Sequence, residues 1–417
     1  VNTGVVVVAG AGMAAVSLAE ALRTGGYPHS ITLLGAEPGL PYDRPPLSKD
    51  LLRGARDPDD TTLHPQQWYA ERGISLRSGR AVTDINADGA TARLDDGTSI
   101  GGDVLVLATG GIARVLTPRV LTVDSGHPAL HTLRTATDAR RLRAALTPGV
   151  RLVVIGAGLI GAEVTASAVE RGATVTLIDP GDLPLARAAG DEAAAKLHQR
   201  HAQAGVTVLQ AHVEQLQPGT GRTLLVRLAR DQVVEADVVL VGVGMLPACG
   251  LAEAAGLDVD DGVLVDDQYL TSHPRVYAIG DIARRRGPDG PQPRIEHWDN
   301  ALRSAHIAAA AIAGIEPPPV RAPWFWSDRY DQHLETVGHP TPDAMLIRRS
   351  TADSEYVGLY LVDGRCTSAV TINRPLDARA AQRLIDERVP ITAEQAADPS
   401  LTLRDVLKEA RTVHNGH

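Results

Sequence analysis

The chain opens on an uninterrupted apolar run, Val5–Val8, that leads into Ala9-Gly10-Ala11-Gly12-Met13-Ala14-Ala15. Four β-branched residues running into glycines predict a strand buried on both faces and then a tight turn. Beyond the turn Leu18, Ala19 and Leu22 recur at helical spacing, so a helix with an apolar face follows. The same pattern returns at Arg151–Ile155, which runs into Gly156-Ala157-Gly158-Leu159-Ile160-Gly161-Ala162-Glu163. A buried strand, a glycine turn and a helix N-terminus gather backbone N–H groups at one point. That point receives the pyrophosphate of a dinucleotide. Gly10 and Gly156 permit the turn, and Gly12 and Gly158 let phosphate approach the backbone. Ala15 and Gly161 are small enough for helix and strand to pack closely. One such motif is weak evidence; this chain carries two.

The strands that follow each turn end in an acid. The first βαβ unit closes at Ile31–Leu34, with Glu37 just beyond, placed to accept hydrogen bonds from a ribose diol. Pro41–Lys49 is stiffened by Pro45 and Pro46, which holds Arg44 and Lys49 in defined positions, and Ser48-Lys49 opens a short helix. Residues 80–109 predict a β-meander: Val82–Ile85 and Ala90–Leu94 alternate, Asp96-Gly97 is a hairpin turn, and Asp103–Ala108 is a buried strand ending at Ala108-Thr109-Gly110. Leu133-Arg134-Thr135 precedes a helix with Asp138 in its first turn. In the second unit the strand Thr174–Ile178 ends at Asp179. That acid favours a ribose 2′-hydroxyl and repels a 2′-phosphate, and Pro180-Gly181-Asp182 supplies no arginine for one. NADH is expected there rather than NADPH. Gly242-Val243-Gly244, after strand Val238–Val241, closes this unit.

A third signal is Val276–Asp281, a short strand ending in Gly280-Asp281, with Ile282-Ala283 predicted to begin a helix whose N-terminus faces phosphate. Arg294–Ala301 leads into an Ala-rich helix reaching Ala313, and Pro317-Pro318-Pro319 is a linker. The remainder predicts strands near Ala344–Arg348, Tyr356–Val362 and Cys366–Ile372, an Asp363-Gly364 hairpin turn and two amphipathic helices. Trp324-Phe325-Trp326 opens that region and holds the only phenylalanine of the chain. The expected architecture is α/β: two Rossmann-like dinucleotide-binding domains of glutathione-reductase-like arrangement and a small C-terminal α+β domain. The expected boundaries are 1–114 with 245–320, 115–244, and 321–417.

Composition narrows the function classes. At 417 residues the chain exceeds one core, and 44% hydrophobic with 22% charged content is that of a globular protein. A net charge of −9 argues against a general nucleic-acid binder. The apolar start lacks a basic flank and reads as a core strand rather than a signal peptide, and no run reaches the ~20 apolar residues that span a bilayer. Cys249 and Cys366 are isolated, so neither a dithiol nor a zinc knuckle is encoded, and a cytoplasmic setting is expected. His198 and His201 lie one turn apart on a predicted surface helix, without a third ligand. No metal site and no hydrolase signature is predicted.

Taken together, GAEPGLPYDRPPLSKDLL at 35–52, ATG with Arg114 at 108–114, LRT at 133–135, GAGLIGAE at 156–163, GVG at 242–244, YAIGD at 277–281, WFWSD at 324–328 and NRPLD at 373–377 carry a family likeness. The chain resembles the FAD-dependent NADH:ferredoxin reductases, the putidaredoxin-reductase and rubredoxin-reductase type that serves bacterial cytochromes P450 and ring-hydroxylating dioxygenases. The resemblance implies FAD at Gly10, Gly12, Ala14, Ala15, Glu37 and Arg44, and further along at Lys49, Val82, Ala108, Thr109, Gly110, Arg114 and Arg134. It continues through Gly280, Asp281, Glu296, His297 and Trp298. It implies NADH at Gly156, Gly158, Leu159, Ile160, Asp179, Arg187 and Gly244, and it sets Trp326 at the cofactor site. Lys49 and Glu163 match a lysine and glutamate close to the flavin N5 edge, where a fixed cation stabilises charge arriving with a hydride. The sequence departs from the pattern at Ala15, Met13, Gly111-Ile112-Ala113 and Ala248.

The function implied is electron splitting: a hydride passes from NADH to FAD, and electrons leave singly to an iron–sulfur ferredoxin. No cysteine stands in the loop around Gly39–Tyr42, and no C-x-x-x-x-C pair is present, as disulfide- or peroxide-reducing relatives would need. The ferredoxin is expected to dock near Trp326 and a basic group formed by Arg284, Arg285, Arg286, Arg303 and Arg329, by charge complementarity. Two alternatives stay open: a quinone or monodehydroascorbate-type reductase of the same fold, and a redox-sensing flavoprotein that serves as an interaction partner.

Overall fold

In the computed structural model, which describes residues 4–349 and 352–414, the opening apolar run is the middle strand of a five-stranded sheet. The strand order is Val276–Ala278, Val104–Leu107, Val6–Ala9, Ile31–Gly35, Ile74–Ser78, and every pairing is parallel. All four residues of Val6–Ala9 are buried, which is why their sequence shows no polar alternation. The helix Met13–Thr24 turns Ala14, Ala15, Leu18, Ala19 and Leu22 inward. It packs against the helix Trp298–Ala313, whose buried face is Ala301, Ala305, Ala308 and Ala309. Alanines along the contact let two helices approach closely. The second of them stops at Gly314, left-handed at φ 68°, as a helix C-terminus often requires.

The second glycine motif builds the same arrangement again. Its order is Thr207–Gln210, Thr174–Asp179, Arg151–Ile155, Val238–Val241, Leu130–His131, all parallel, with the glycine-turn strand once more in the middle. The helix Ala136–Ala145 begins at Thr135, whose hydroxyl accepts from the Asp138 N–H while Asp138 reaches back to the Thr135 N–H. The C-terminal region is an antiparallel sheet, Trp324–Arg329, Gln332–Gly338, Arg365–Ile372, Tyr356–Val362, Met345–Arg349. Asp363 (φ 49°) and Gly364 (φ 69°) make the tight turn between two of its strands.

The chain divides into two compact units. One comprises Val1–Pro45, Arg56–Ile112 and Met245–Pro319; the other comprises Pro46–Ala55, Ala113–Gly244 and Val320–His417. The ten-residue segment Pro46–Ala55 groups with the second unit although the chain on either side groups with the first. Leu51 and Leu52 are fully buried, the Ser167 hydroxyl donates to the Ser48 carbonyl at 2.7 Å, and Arg171 donates to the Arg53 carbonyl at 3.2 Å.

Four expectations are corrected. Only a single 3-10 turn, Gly280–Ile282, follows the Gly-Asp strand end, and Ala283–Gly287 then runs as a strand parallel to Val263–Val265. No helix N-terminus stands there, because Ala283, Arg284 and Arg285 are drawn into that extended pairing. Trp324–Gly338, where the sequence predicts no strand, forms a hairpin of two strands. Three C-terminal helices, Pro375–Asp386, Ala393–Ala397 and Leu403–His414, replace the expected two. His201 is fully buried rather than on a surface face, and its Nδ1 lies 2.9 Å from the Tyr330 hydroxyl.

Leu105, on the strand beside the middle one of the first sheet and fully buried, tests this core. Leu105→Ala is expected to lower stability by about 3 kcal/mol, read as a fall in the urea midpoint.

Candidate functional site

In both sheets the predicted residues collect at the carboxyl ends of the strands, where ligands of open parallel sheets sit. In the first unit Gly10 has φ 128°, and a Cβ there would stand 2.2 Å from the Ala108 carbonyl oxygen. Only glycine allows the turn to pass the end of Val104–Leu107 that closely. Gly12 is the opposite case. A Cβ on it would meet nothing within 4 Å, and the helix it starts has neither a side-chain cap nor an acid in its first turn. Open space over uncapped N–H groups fits a pyrophosphate. Gly280 (φ 73°) lies against Ala14, 3.0 Å from a built Cβ to the Ala14 methyl, so the third signal joins the first turn.

Around this turn the polar residues are braced by one another. Glu37 accepts from Arg44 at 2.8 Å and from the Tyr42 hydroxyl at 2.6 Å. Arg294 donates to the Asp281 carbonyl at 3.1 Å and pairs with Glu296 at 2.7 Å. The Trp298 indole donates to Asp43 at 2.9 Å, tying the start of the long helix to the proline-stiffened loop. The Thr109 hydroxyl donates to the Ala248 carbonyl at 3.1 Å, and the Gly110 carbonyl accepts from the Ala248 N–H at 2.9 Å. Val82 begins its strand opposite Leu94 and packs on the core. His297 stands at the N-cap position of the helix Trp298–Ala313 without a side-chain capping bond.

The second unit repeats the cradle with tighter packing. A Cβ on Gly156 (φ 100°) would stand 2.4 Å from the Gly242 carbonyl oxygen, and one on Gly161 would stand 1.9 Å from that of Gly156. Gly158, like Gly12, faces open space, and Leu159 and Ile160 begin a helix with no side-chain cap. Asp179 accepts from the Ala157 N–H at 2.7 Å and from the Gly181 N–H at 2.8 Å. Those bonds lock its carboxylate beside the turn and leave lone pairs for ribose hydroxyls. Gly244 (φ 101°) accepts from the Arg114 N–H at 3.0 Å. Arg187 lies exposed on the short helix Ala186–Ala189. The Arg134 N–H donates to Asp138 at 3.1 Å.

The same unit gathers a group of charges that the sequence only half disclosed. Lys49 Nζ lies 3.5 Å from Glu163 and 3.2 Å from Asp328, with Lys49 and Glu163 side chains 10% and 7% exposed. Glu163 also accepts from the Ser48 hydroxyl at 2.5 Å and the Ser327 hydroxyl at 2.7 Å. Lys49 Nζ stands 5.6 Å from the centre of the Trp326 ring, which stacks on Trp324. A lysine held by two carboxylates, two hydroxyls on one of them and an aromatic face is a fixed cation. Such a cation stabilises negative charge that forms beside it. Burial works against the Asp328 charge, but the His333 hydrogen bond and the Lys49 ammonium outweigh it and hold the carboxyl below its usual range.

Sequence reasoning missed Ser48, Ser327, Asp328 and His333. The signal was the hairpin: Tyr330 (φ 52°) and Asp331 form the turn, so residues five apart, Asp328 and His333, face each other. The expected group of docking cations is corrected in two respects. Arg329 is 3% exposed, and burial pushes it down to about 10 despite the Glu163 charge, so it offers nothing to a partner. The run Arg284, Arg285, Arg286 pairs residue by residue with Asp260, Asp267 and Asp258 and is not a bare basic patch. Among the described residues no three His, Cys, Asp or Glu side chains gather to hold a metal.

Two dinucleotide cradles in one chain, the second ending in an acid, define a pyridine-nucleotide reductase of the two-dinucleotide-fold class. The chain belongs to the pyridine nucleotide-disulphide oxidoreductase family, whose model matches residues 4–305, and a reductase C-terminal model matches 324–407. Membership makes it an oxidoreductase that works with FAD and NAD(H). It is 34% identical over 412 residues to the rhodocoxin reductase of Rhodococcus erythropolis, covering 98% of this chain and 96% of that one. It is 38% identical to the ferredoxin–NAD(+) reductase component of the anthranilate 1,2-dioxygenase system of Burkholderia cepacia, covering 96% and 98%. Among solved structures, the covalent putidaredoxin reductase–putidaredoxin complex matches with a TM-score of 0.92 at 34% identity, over 99% of this chain and 100% of that one.

Glu163→Ala would leave Lys49 with Asp328 alone and remove the acceptor of the Ser48 and Ser327 hydroxyls. A loss of about 3 kcal/mol is expected, measured by chemical denaturation.

Proposed function

We propose that this protein is an NADH-dependent ferredoxin reductase that passes electrons through FAD to a small iron–sulfur protein serving a cytochrome P450 or a ring-hydroxylating dioxygenase. The observation that carries the reading is the pair of open glycine cradles, of which the second ends at Asp179. Relatives that match over nearly their whole length and are named for such systems support it. FAD held by these residues would supply the conversion of a two-electron hydride donor into single-electron transfer.

The first cradle, Gly10, Gly12, Ala14 and Ala15, holds the FAD pyrophosphate, and Glu37 receives the ribose hydroxyls while Arg44 and Tyr42 keep its carboxylate in place. Asp281 and Trp298 complete the hold from the third segment of that unit. Lys49 supplies the cation that favours negative charge on the flavin, and Glu163 keeps it there. The second cradle, Gly156 to Ile160, takes the NADH pyrophosphate, with Asp179 on the ribose and Arg187 and Gly244 beside it. No nucleophile is required, since the protein's task is alignment and electrostatic tuning. Both cysteines fit that reading: Cys249 and Cys366 are buried, and burial raises both thiols, Cys366 to about 12. Free buried thiols also accord with a cytoplasmic enzyme.

Arg285 and Arg303 are candidate contacts for the ferredoxin, and Trp326 is a separate candidate. Arg285 and Arg303 already face Asp267 and Asp299, so an acidic ferredoxin exchanges one carboxylate for another and gains mainly in encounter rate. The rate of ferredoxin reduction is therefore expected to fall as ionic strength rises, more weakly in Arg285→Ala; a flat salt profile in the wild type overturns this docking.

Anaerobic titration with NADH and NADPH, followed by candidate two- and four-iron ferredoxins, tests the whole reading. NADH is expected to bind at least about tenfold more tightly than NADPH, a difference of about 1.4 kcal/mol, and Asp179→Ala is expected to erase most of it. Flavin reduction by NADH with dye turnover, but without cytochrome c reduction through any ferredoxin, would instead mark a quinone or monodehydroascorbate-type reductase.

A further inference from the structure

The hairpin Trp324–Arg329 with Gln332–Gly338 carries more charge than the proposed chemistry uses. Its register sets Asp328 opposite His333 and Trp326 opposite Glu335. His333 Nδ1 lies 2.5 Å from Asp328 Oδ1, and His333 Nε2 lies 3.5 Å from Glu335 Oε2. Asp328 turns its other oxygen to Lys49 at 3.2 Å, and Lys49 reaches Glu163 at 3.5 Å. Five side chains therefore form a line of alternating sign: Glu335, His333, Asp328, Lys49, Glu163. The Trp324 indole donates to the far end of it, Glu335 Oε1, at 3.1 Å.

We propose that His333, acting through Asp328, is a positioning residue for Lys49, and that its protonation sets how strongly Lys49 favours negative charge on the bound flavin. The proposal rests on the reading of Lys49 given above. Both imidazole nitrogens face carboxylate oxygens, and only the imidazolium can donate from both. While His333 carries its proton, Asp328 is shared between two cations. When the proton leaves, Asp328 is left to Lys49 alone, and the line as a whole loses one positive charge. The surroundings of Lys49 become more negative, so the reduced flavin is favoured less.

The hydrogen bond to Asp328 and then the Glu335 carboxylate 3.5 Å away outweigh burial and raise the imidazole to about 9. The sign follows: the folded-state value lies above the ordinary 6.5, so the pairing is fully present below that pH and is lost as pH rises through about 9. With a side chain 37% exposed, the proton can exchange with solvent. The charged groups that face His333 are Asp328 and Glu335 of its own hairpin, with Lys49 beyond Asp328. From the neighbouring strand end, neutral Asn373 accepts from the His333 N–H. On the helix Pro375–Asp386, which packs on the strand Gln332–Gly338, Asp377 pairs with Arg374, which also holds Glu355.

The test follows two readouts in the FAD-loaded protein. The His333 ring titration is measured by NMR, assigned by its loss in His333→Gln. The flavin midpoint potential is measured from pH 7 to 10.5 in wild type, His333→Gln, His333→Lys and Lys49→Met. The wild-type ring is expected to titrate near pH 9. His333→Gln is expected to show a lower potential than wild type at pH 7, with the two curves converging above pH 9. His333→Lys keeps a cation whose ordinary pKa is about 10.4 and is expected to restore the pH 7 potential and move the step to higher pH. A ring that titrates near 6.5, or wild-type and His333→Gln curves that coincide while Lys49→Met shifts the potential, overturns the role of His333 alone. If Lys49→Met also leaves the potential unchanged, the reading of Lys49 falls with it.

Discussion

Each dinucleotide fold of this protein depends on a backbone passing within a side chain's width of its neighbour. At Gly10 and Gly156 a single methyl group would collide with the carbonyl at the end of the adjacent strand, and at Gly161 it would collide with the turn itself. Positive φ at the first two positions and missing volume at all three let the strand end, the turn and the helix start occupy one place. The helix N–H groups then face open space, and that exposure makes the turn a receptor for phosphate. Parallel strands follow from the same geometry, because each crossover helix must cover a sheet face and bury the central strand on both sides.

The ion cluster of the second unit follows a different logic. Lys49 is brought within 3.5 Å of both Glu163 and Asp328, residues from well-separated stretches of the chain, and Lys49 and Glu163 have little exposure. Burying a charge this far costs more than one partner returns, so the group is sustained by several: two carboxylates on the lysine, two serine hydroxyls on Glu163, and an imidazolium on Asp328. Removing any member exposes the others to an uncompensated neighbour. Such a cluster contributes little as scaffolding; the proposed function gives it a use, a fixed ammonium that favours negative charge on a redox group.

Charge read along the chain and charge read in space differ most at the arginines. Arg284, Arg285 and Arg286 are consecutive and look like a basic patch, yet each meets an aspartate from Asp258–Asp267. Arg329 looks like a fourth surface cation and is buried beside Glu163. The patch that a partner meets is therefore set by the aspartates opposite, which no local window shows. His201 makes the same point in the other direction: one turn from His198 on the same helix, it faces the core because the apolar stripe of that helix includes it.

Local pattern was enough to determine both glycine turns, the strands they follow, the acids Glu37 and Asp179, the capped helix at Thr135 and the Asp363-Gly364 turn. Each rests on a steric or hydrogen-bonding requirement that acts within a few residues. Tertiary structure alone decided what depends on distance in space. It placed Pro46–Ala55 with the second unit, extended Ala283–Gly287 into a strand, and set Asp328 against Lys49 and His333. Those outcomes arise from pairing and burial between segments far apart in the chain, where the free energy of one contact depends on which others have already formed.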